Sequence, residues 1–222
     1  MINIENELFS RWRVFRDNLC PDGIVDYETY LKCNQKILFI LKEANSDESI
    51  DLRLFAREGG RRQTWSNLAR WVYGINNLNE SFSWNKLVQP DDLAFRKKWL
   101  KQIIVMNLKK IPGSHTAKRE EVVKFAKLDS ELLNQQFNLY NNNLLPPDWI
   151  VACGTDVSDT FLTHIELNRI NNWKQSKNGI NFFEYTTGKY FIKYVHPEAR
   201  LPDNFLFFPL IDTIKEINAI QS

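Results

Sequence analysis

Cysteine is scarce in this chain, and its three copies lie far apart. Cys20, Cys33 and Cys153 form no CxxC pair. An odd number at these spacings speaks against a disulfide framework and against a zinc site. Free buried thiols are the reading that remains. Long apolar runs are also missing. Ile37–Leu41 is of strand length, whereas a membrane-spanning helix needs roughly 20 apolar residues. Met1–Glu7 has no basic run ahead of an apolar stretch, so no signal peptide and a cytoplasmic location are expected. Excess charge of one sign is lacking too. Lys and Arg total 29 against 27 Asp and Glu, a net charge of +2, which by itself announces no nucleic-acid partner. The chain contains no GxxxxGK[ST], no GxGxxG and no GxSxG segment. Their absence weakens a phosphate-loop, dinucleotide-binding or serine-hydrolase reading.

What is present fits one globular domain spanning 1–222, with 43% hydrophobic and 25% charged residues. Leu8, Trp12 and Phe15 recur at helical spacing, and the helical reading of 1–33 breaks at Cys20-Pro21-Asp22-Gly23. Lys36–Leu41, Ile103–Asn107 and Trp149–Gly154 read as strands buried on both faces, because apolar residues do not alternate with polar ones. Between them, helices are expected near Thr64–Tyr73 (with Thr64 as cap), from Asp91-Asp92 through Trp99, and from Glu120 to Tyr140. A further helix is expected near Val157–Leu167, a hairpin over Phe182–Val195, and a closing helix over Ile211–Ile220. Strands alternating with helices predict an α/β fold: a three-layer α/β/α sandwich around a mainly parallel sheet of four to five strands. Ligands in such sheets bind beyond the carboxyl ends of the strands. Three loops start there: Lys42–Asp47, Asn107–His115 and His196–Leu201.

Basic residues gather in three groups: Arg57, Arg61 and Arg62; Arg96, Lys97, Lys98 and Lys101; Lys109, Lys110, Lys118 and Arg119. Each alone reads as a solvated face, while together near the loops they would track phosphates. Taken singly, Glu43 is a loop carboxylate, His196-Pro197 a turn and Asn107 a loop cap.

In order and strand context, the segments Leu41-Lys42-Glu43-Ala44-Asn45-Ser46, Met106-Asn107-Leu108-Lys109-Lys110-Ile111-Pro112 and Val195-His196-Pro197-Glu198-Ala199-Arg200 resemble the motifs of the uracil-DNA glycosylase superfamily. The likeness is strongest to the bacterial and archaeal branch whose first motif reads Gly-Glu-Ala-Pro-Gly. Leu54-Phe55-Ala56-Arg57-Glu58-Gly59-Gly60 partly matches that branch's next segment. The resemblance implies a hydrolysis that flips a base from DNA and cuts its N-glycosidic bond. It implies Glu43 as the carboxylate near the sugar, with Asn45 beside it in the motif. His196 would stabilise charge on the leaving base. Asn107 would read the base edge, Phe55 would stack on it, and Lys42 and Ala44 would flank it. Lys109, Lys110, Arg61, Arg62, His115 and Arg200 would meet DNA, Arg200 with Leu201 at the wedge position.

The motifs depart from the branch at Lys42, Asn45, Ser46 and Glu198. These changes point away from plain uracil towards a decorated base, such as the hypermodified cytosine of phage DNA, in antiviral defence. Uracil or another deaminated base is the simpler substrate. Four cysteines often hold an iron–sulfur cluster in that branch. This chain has three, with Lys110 where one is expected, so no metal or cofactor is expected. The expected protein is a monomer with DNA as its partner. A catalytically silent DNA-binding relative is the alternative. Cys153, directly after a strand, is read as structural rather than as a nucleophile.

Overall fold

A computed structural model describes residues 2–87, 92–113, 118–142 and 146–221. Its elements in chain order are α1 (Ile2–Arg13), β1 (Gly23–Ile24), α2 (Tyr27–Lys32), β2 (Ile37–Leu41), β3 (Ala44–Asn45), α3 (Leu52–Arg57), α4 (Arg62–Asn76) and α5 (Leu93–Leu100). There follow β4 (Ile103–Asn107), β5 (Pro112–Gly113), α6 (Arg119–Leu128), α7 (Ser130–Asn142), β6 (Trp149–Cys153) and α8 (Thr155–His164). The chain ends with β7 (Lys174–Gln175), β8 (Asn181–Thr186), β9 (Lys189–Tyr194) and α9 (Asp203–Gln221).

The protein is an α/β sandwich with a central sheet in the order β1-β4-β2-β6-β9-β8-β7. Its inner strands β4, β2, β6 and β9 pair in parallel, and β1, β8 and β7 join antiparallel. Among the described residues the sheet thus has seven strands rather than four or five. The extra ones are the two-residue β1 and β7, too short to register in the sequence pattern, while β8 and β9 form the expected hairpin.

The three fully buried strands explain the unbroken apolar runs. Ile37, Phe39, Leu41, Ile103, Val105 and Val151 face one way, with the apolar sides of α4 and α9. Their neighbours Leu38, Ile40, Ile104, Met106 and Ile150 face the other way, towards α1, α6, α7 and α8. A strand sends alternate side chains to opposite faces, so both faces need apolar cover.

Several boundaries differ from expectation. The helical reading of 1–33 resolves into α1, β1 and α2, and Phe15 lies exposed beyond α1. Helix α4 begins at Arg62, so Thr64 sits inside its first turn and is not the cap. Asp92 caps α5 by accepting from the Phe95 N–H at 2.8 Å, while Asp91 lies outside the described residues. The long helix expected from Glu120 is two helices, parted at Asp129, whose backbone leaves helical geometry and whose carboxylate pairs with Arg16 at 2.6 Å. Helix α9 starts at Asp203, earlier than Ile211, with Pro209 inside it.

The connection from β2 to β4 carries α3, α4 and α5 on one face, and that from β4 to β6 carries α6 and α7 on the other. Chains leaving neighbouring strands towards opposite faces open a crevice at their carboxyl ends. Glu43 follows the end of β2, and Asn107 is the last residue of β4. No helix among the described residues is long and apolar enough to cross a membrane.

Candidate active site

The crevice holds a cavity of about 820 Å3. Its lining brings together residues from all three loops: Lys42, Glu43, Ala44 and Asn45 after β2, Asn107 at the end of β4, and His196 after β9. Phe55 from α3 and Arg61 and Arg62 at the start of α4 complete the set. Glu43 and His196, 153 positions apart in the chain, therefore share one hollow because β2 and β9 run parallel in one sheet with only β6 between them.

Glu43 is held tightly. Its Oε2 accepts from Lys109 Nζ at 2.6 Å, with both side chains 5% exposed. Lys109 also reaches Glu121 at 3.3 Å. Behind Glu43, β3 and β5 pair in register, Ala44 with Pro112 and Asn45 with Gly113. A Cβ on Gly113 would stand 2.0 Å from the Glu43 carboxyl carbon, so glycine is what lets this carboxylate lie where it does.

Asn107 pairs with Leu41 across β4 and β2, and its side chain is fully buried. Neither Nδ2 nor Oδ1 has a hydrogen-bond partner among the described residues. Its backbone, by contrast, is anchored, because its N–H donates to Asp22 Oδ2 at 2.7 Å. Asp22 is itself fully buried and accepts from Lys110 Nζ at 2.6 and 2.7 Å and from Gln136 at 2.7 Å. Burial pulls the Lys110 ammonium below its ordinary pKa, with Asp22 opposing.

His196 Nδ1 accepts the Glu198 N–H at 3.1 Å. The neutral ring therefore carries its hydrogen on Nε2. Burial is the largest cause holding its pKa below the usual histidine value, with Glu198 raising and Lys42 lowering it. The loop that carries it is tied to α4. Asn67 Nδ2 donates to the Pro197 carbonyl at 2.9 Å and to Asp203 at 3.2 Å, and buried Arg70 bonds Asp203 at 2.9 Å and Asn67 Oδ1 at 2.7 Å. Glu198 reaches across to the Thr64 hydroxyl. The Phe55 ring stands edge-on to Trp65 at 5.9 Å, and Gly60, at φ +59°, fits beneath that indole where a Cβ would not.

Two expected DNA contacts are corrected. Lys110 is fully enclosed with Asp22, and Lys109 is spent on Glu43 and Glu121, so neither can meet a phosphate. The apolar environment beyond β4 encloses these stems, and only a paired ammonium is tolerable there. The wider basic groups also disperse. Arg57 donates to the Val25 carbonyl and Arg96, buried, to the Gly59 carbonyl. Arg61 and Arg62 remain at the cavity, and Arg200 is exposed beyond it, next to half-exposed Leu201. His115 lies outside the described residues. Cys153 is fully buried, and burial raises its thiol pKa far above the ordinary value, as its structural reading requires.

Asp22, Asn67, Arg70 and Asp203 escaped sequence reasoning. Asp22 sat in a Pro-Asp-Gly string that reads as a turn. Asn67 and Arg70 had a usable signal: polar residues three apart inside the helix whose other neighbours are core. Among the described residues, no cluster of His, Cys, Asp and Glu is placed to hold a metal ion.

Against known proteins, the chain matches no family model and no curated sequence.

The arrangement sets a carboxylate, a neutral imidazole N–H and an unpaired amide around one hollow. Such a set can grip a polar planar edge, donate to a carbonyl and face a developing cation.

Proposed function

We propose that the protein is a DNA glycosylase of the uracil-DNA glycosylase type, which flips a modified base from DNA and hydrolyses its N-glycosidic bond, leaving an abasic site. The observation that carries this reading is Asn107, fully buried at the cavity with both amide atoms unpaired. Each buried polar group without a partner costs about 1–3 kcal/mol. A ligand offering an adjacent donor and acceptor removes that cost, and the Watson–Crick edge of a base offers both.

The neighbours suit the same chemistry. As the bond breaks, negative charge grows on the base and positive charge on the sugar. A neutral His196 with its hydrogen on Nε2 donates to a pyrimidine carbonyl beside that bond. Glu43, aimed by Lys109, faces the sugar or orients the attacking water. Phe55 offers a ring for stacking. The cavity lies near the top of the roughly 300–1,000 Å3 range of small-molecule sites, more room than a bare pyrimidine fills. Lys42, Asn45 and Glu198 line it with polar groups. A decorated base, such as the hypermodified cytosine of phage DNA, is the favoured substrate, and antiviral defence the favoured setting; a deaminated base is the simpler choice.

One observation favours a second reading, that of a silent DNA-binding relative. Lys109 already occupies Glu43 Oε2. Incubation with DNA carrying uracil, hypoxanthine or glucosylated hydroxymethylcytosine, scored as alkali-labile abasic sites, separates the two. Release of one base, lost in Glu43→Gln and His196→Ala, supports the enzyme. DNA binding without release of any base supports the silent relative.

A further inference from the structure

The charges left unpaired in the cavity are not balanced. Glu43 is neutralised by Lys109, and Asp203 by Arg70. Lys42 and Arg61 line the same hollow and make no ion pair among the described residues, and Glu198 is the one lining carboxylate there without a cationic partner. Arg61 stands at the N-cap of the 15-residue α4 and gives that helix no side-chain cap. The backbone N–H groups of Gln63 and Thr64, in the first turn, precede the first intrahelical donor, Trp65, which bonds the Arg61 carbonyl at 3.2 Å. Residues 61–67 all line the cavity. A helix start with free N–H groups carries a partial positive charge and suits an anion. A separate sign of a ligand in this cavity is Asn107, one of its lining residues, whose buried amide is unpaired among the described residues.

We propose that the cavity contains a phosphate subsite at the first turn of α4, formed by the Gln63 and Thr64 N–H groups with Arg61 and Lys42. If the reading as a glycosylase is right, the phosphate is the one flanking the flipped nucleotide, so the enzyme holds a nucleotide rather than a base alone. A free nucleotide carries the same group, and the subsite itself does not depend on the DNA reading. Glu198, bonded to the Thr64 hydroxyl, lies beside this turn and opposes an incoming anion.

Two measurements test this. In the first, inorganic phosphate is titrated with the full chain at constant ionic strength, followed by 31P line broadening. Saturable broadening is expected. The double substitution Lys42→Met, Arg61→Ala should weaken binding about tenfold or more, the scale of a lost charge-assisted hydrogen bond. Glu198→Gln should strengthen it. All three positions are half-buried or exposed, so a thermal melt checks that the fold is kept. No broadening by the wild-type chain, or equal broadening by the double variant, overturns the subsite.

In the second, duplexes with a tetrahydrofuran abasic analogue are compared with and without one neutral methylphosphonate flanking it. Neutralisation should cost the wild type about tenfold in affinity and the double variant nothing further. Phosphate binding with no methylphosphonate effect overturns the DNA source and assigns the subsite to a free nucleotide. Base release that persists while both measurements are null overturns the subsite and leaves the glycosylase reading standing.

Discussion

Asn107 has surroundings unlike those of an ordinary core residue. Buried side-chain amides are normally hydrogen-bonded, and truncating one destabilises the fold. Here the amide makes no such bond among the described residues, so Asn107→Ala should leave stability within about 1 kcal/mol of wild type. Base release should fall at least 100-fold, by loss of edge recognition. Urea unfolding and an abasic-site assay measure the two. A stability loss of several kcal/mol would make Asn107 a structural residue instead. His196 supplies the pH dependence. Its folded pKa lies below the usual value, so the unfolded chain binds more protons through that interval. Its contribution to stability is full above the unfolded value of about 6.5 and is lost as pH falls towards the folded pKa. The imidazole signal in an NMR titration should therefore show a midpoint below that of a free histidine, and His196→Gln should flatten stability between pH 7 and 5.

At the scale of elements, two supports hold the site. Asp22 ties β4 to Lys110 and to α7 through Gln136. Asp22→Ala strips a fully buried ammonium of its partner, and breaking such a pair costs about 3–5 kcal/mol. Adding Lys110→Met should recover much of that loss, because the uncompensated charge is then gone. Chemical denaturation of the single and double variants reads this directly. The second support is the β3–β5 bridge. Gly113→Ala forces its new methyl into Glu43 and swings the carboxylate from Lys109. A shift of about 1 Å at a reacting group lowers rates roughly 100-fold, so turnover should drop, and the thermal midpoint should fall as well because a buried ion pair is broken. In the sequence, Pro112-Gly113 falls within the loop expected over Asn107–His115. Nothing local to it revealed a strand pair with residues 44 and 45, since such pairing is a property of two distant segments.

For the whole molecule, under the proposed glycosylase reading, the near-zero net charge and the burial of Lys109 and Lys110 limit electrostatic attachment to DNA. Arg61, Arg62 and Arg200 are the expected DNA contacts still reachable. Three phosphate contacts predict a slope near −3 in log affinity against log salt, since each contributes about −0.9. A fluorescence-anisotropy salt series checks it. A slope near −6 would mean that a further basic surface is engaged.

The layer order and the cavity's position were legible from the amino-acid string, for a local reason. Apolar runs without alternation require cover on both faces, and parallel strands separated by helices send their following loops to one edge. Glu43, Asn107 and His196 could be picked out because each directly follows such a run. Whether a lysine faces solvent or a buried carboxylate could not be read, because Lys109 and Lys110 have the same local sequence character as exposed bases. Asp22 lies 88 positions from Lys110 and Arg70 lies 133 from Asp203. Pairings at that separation exist only once the sheet has brought the segments together. The chain thus carries its strands, helices and loop chemistry in local pattern, while tertiary packing alone decides which charges are neutralised and which are left to meet a ligand.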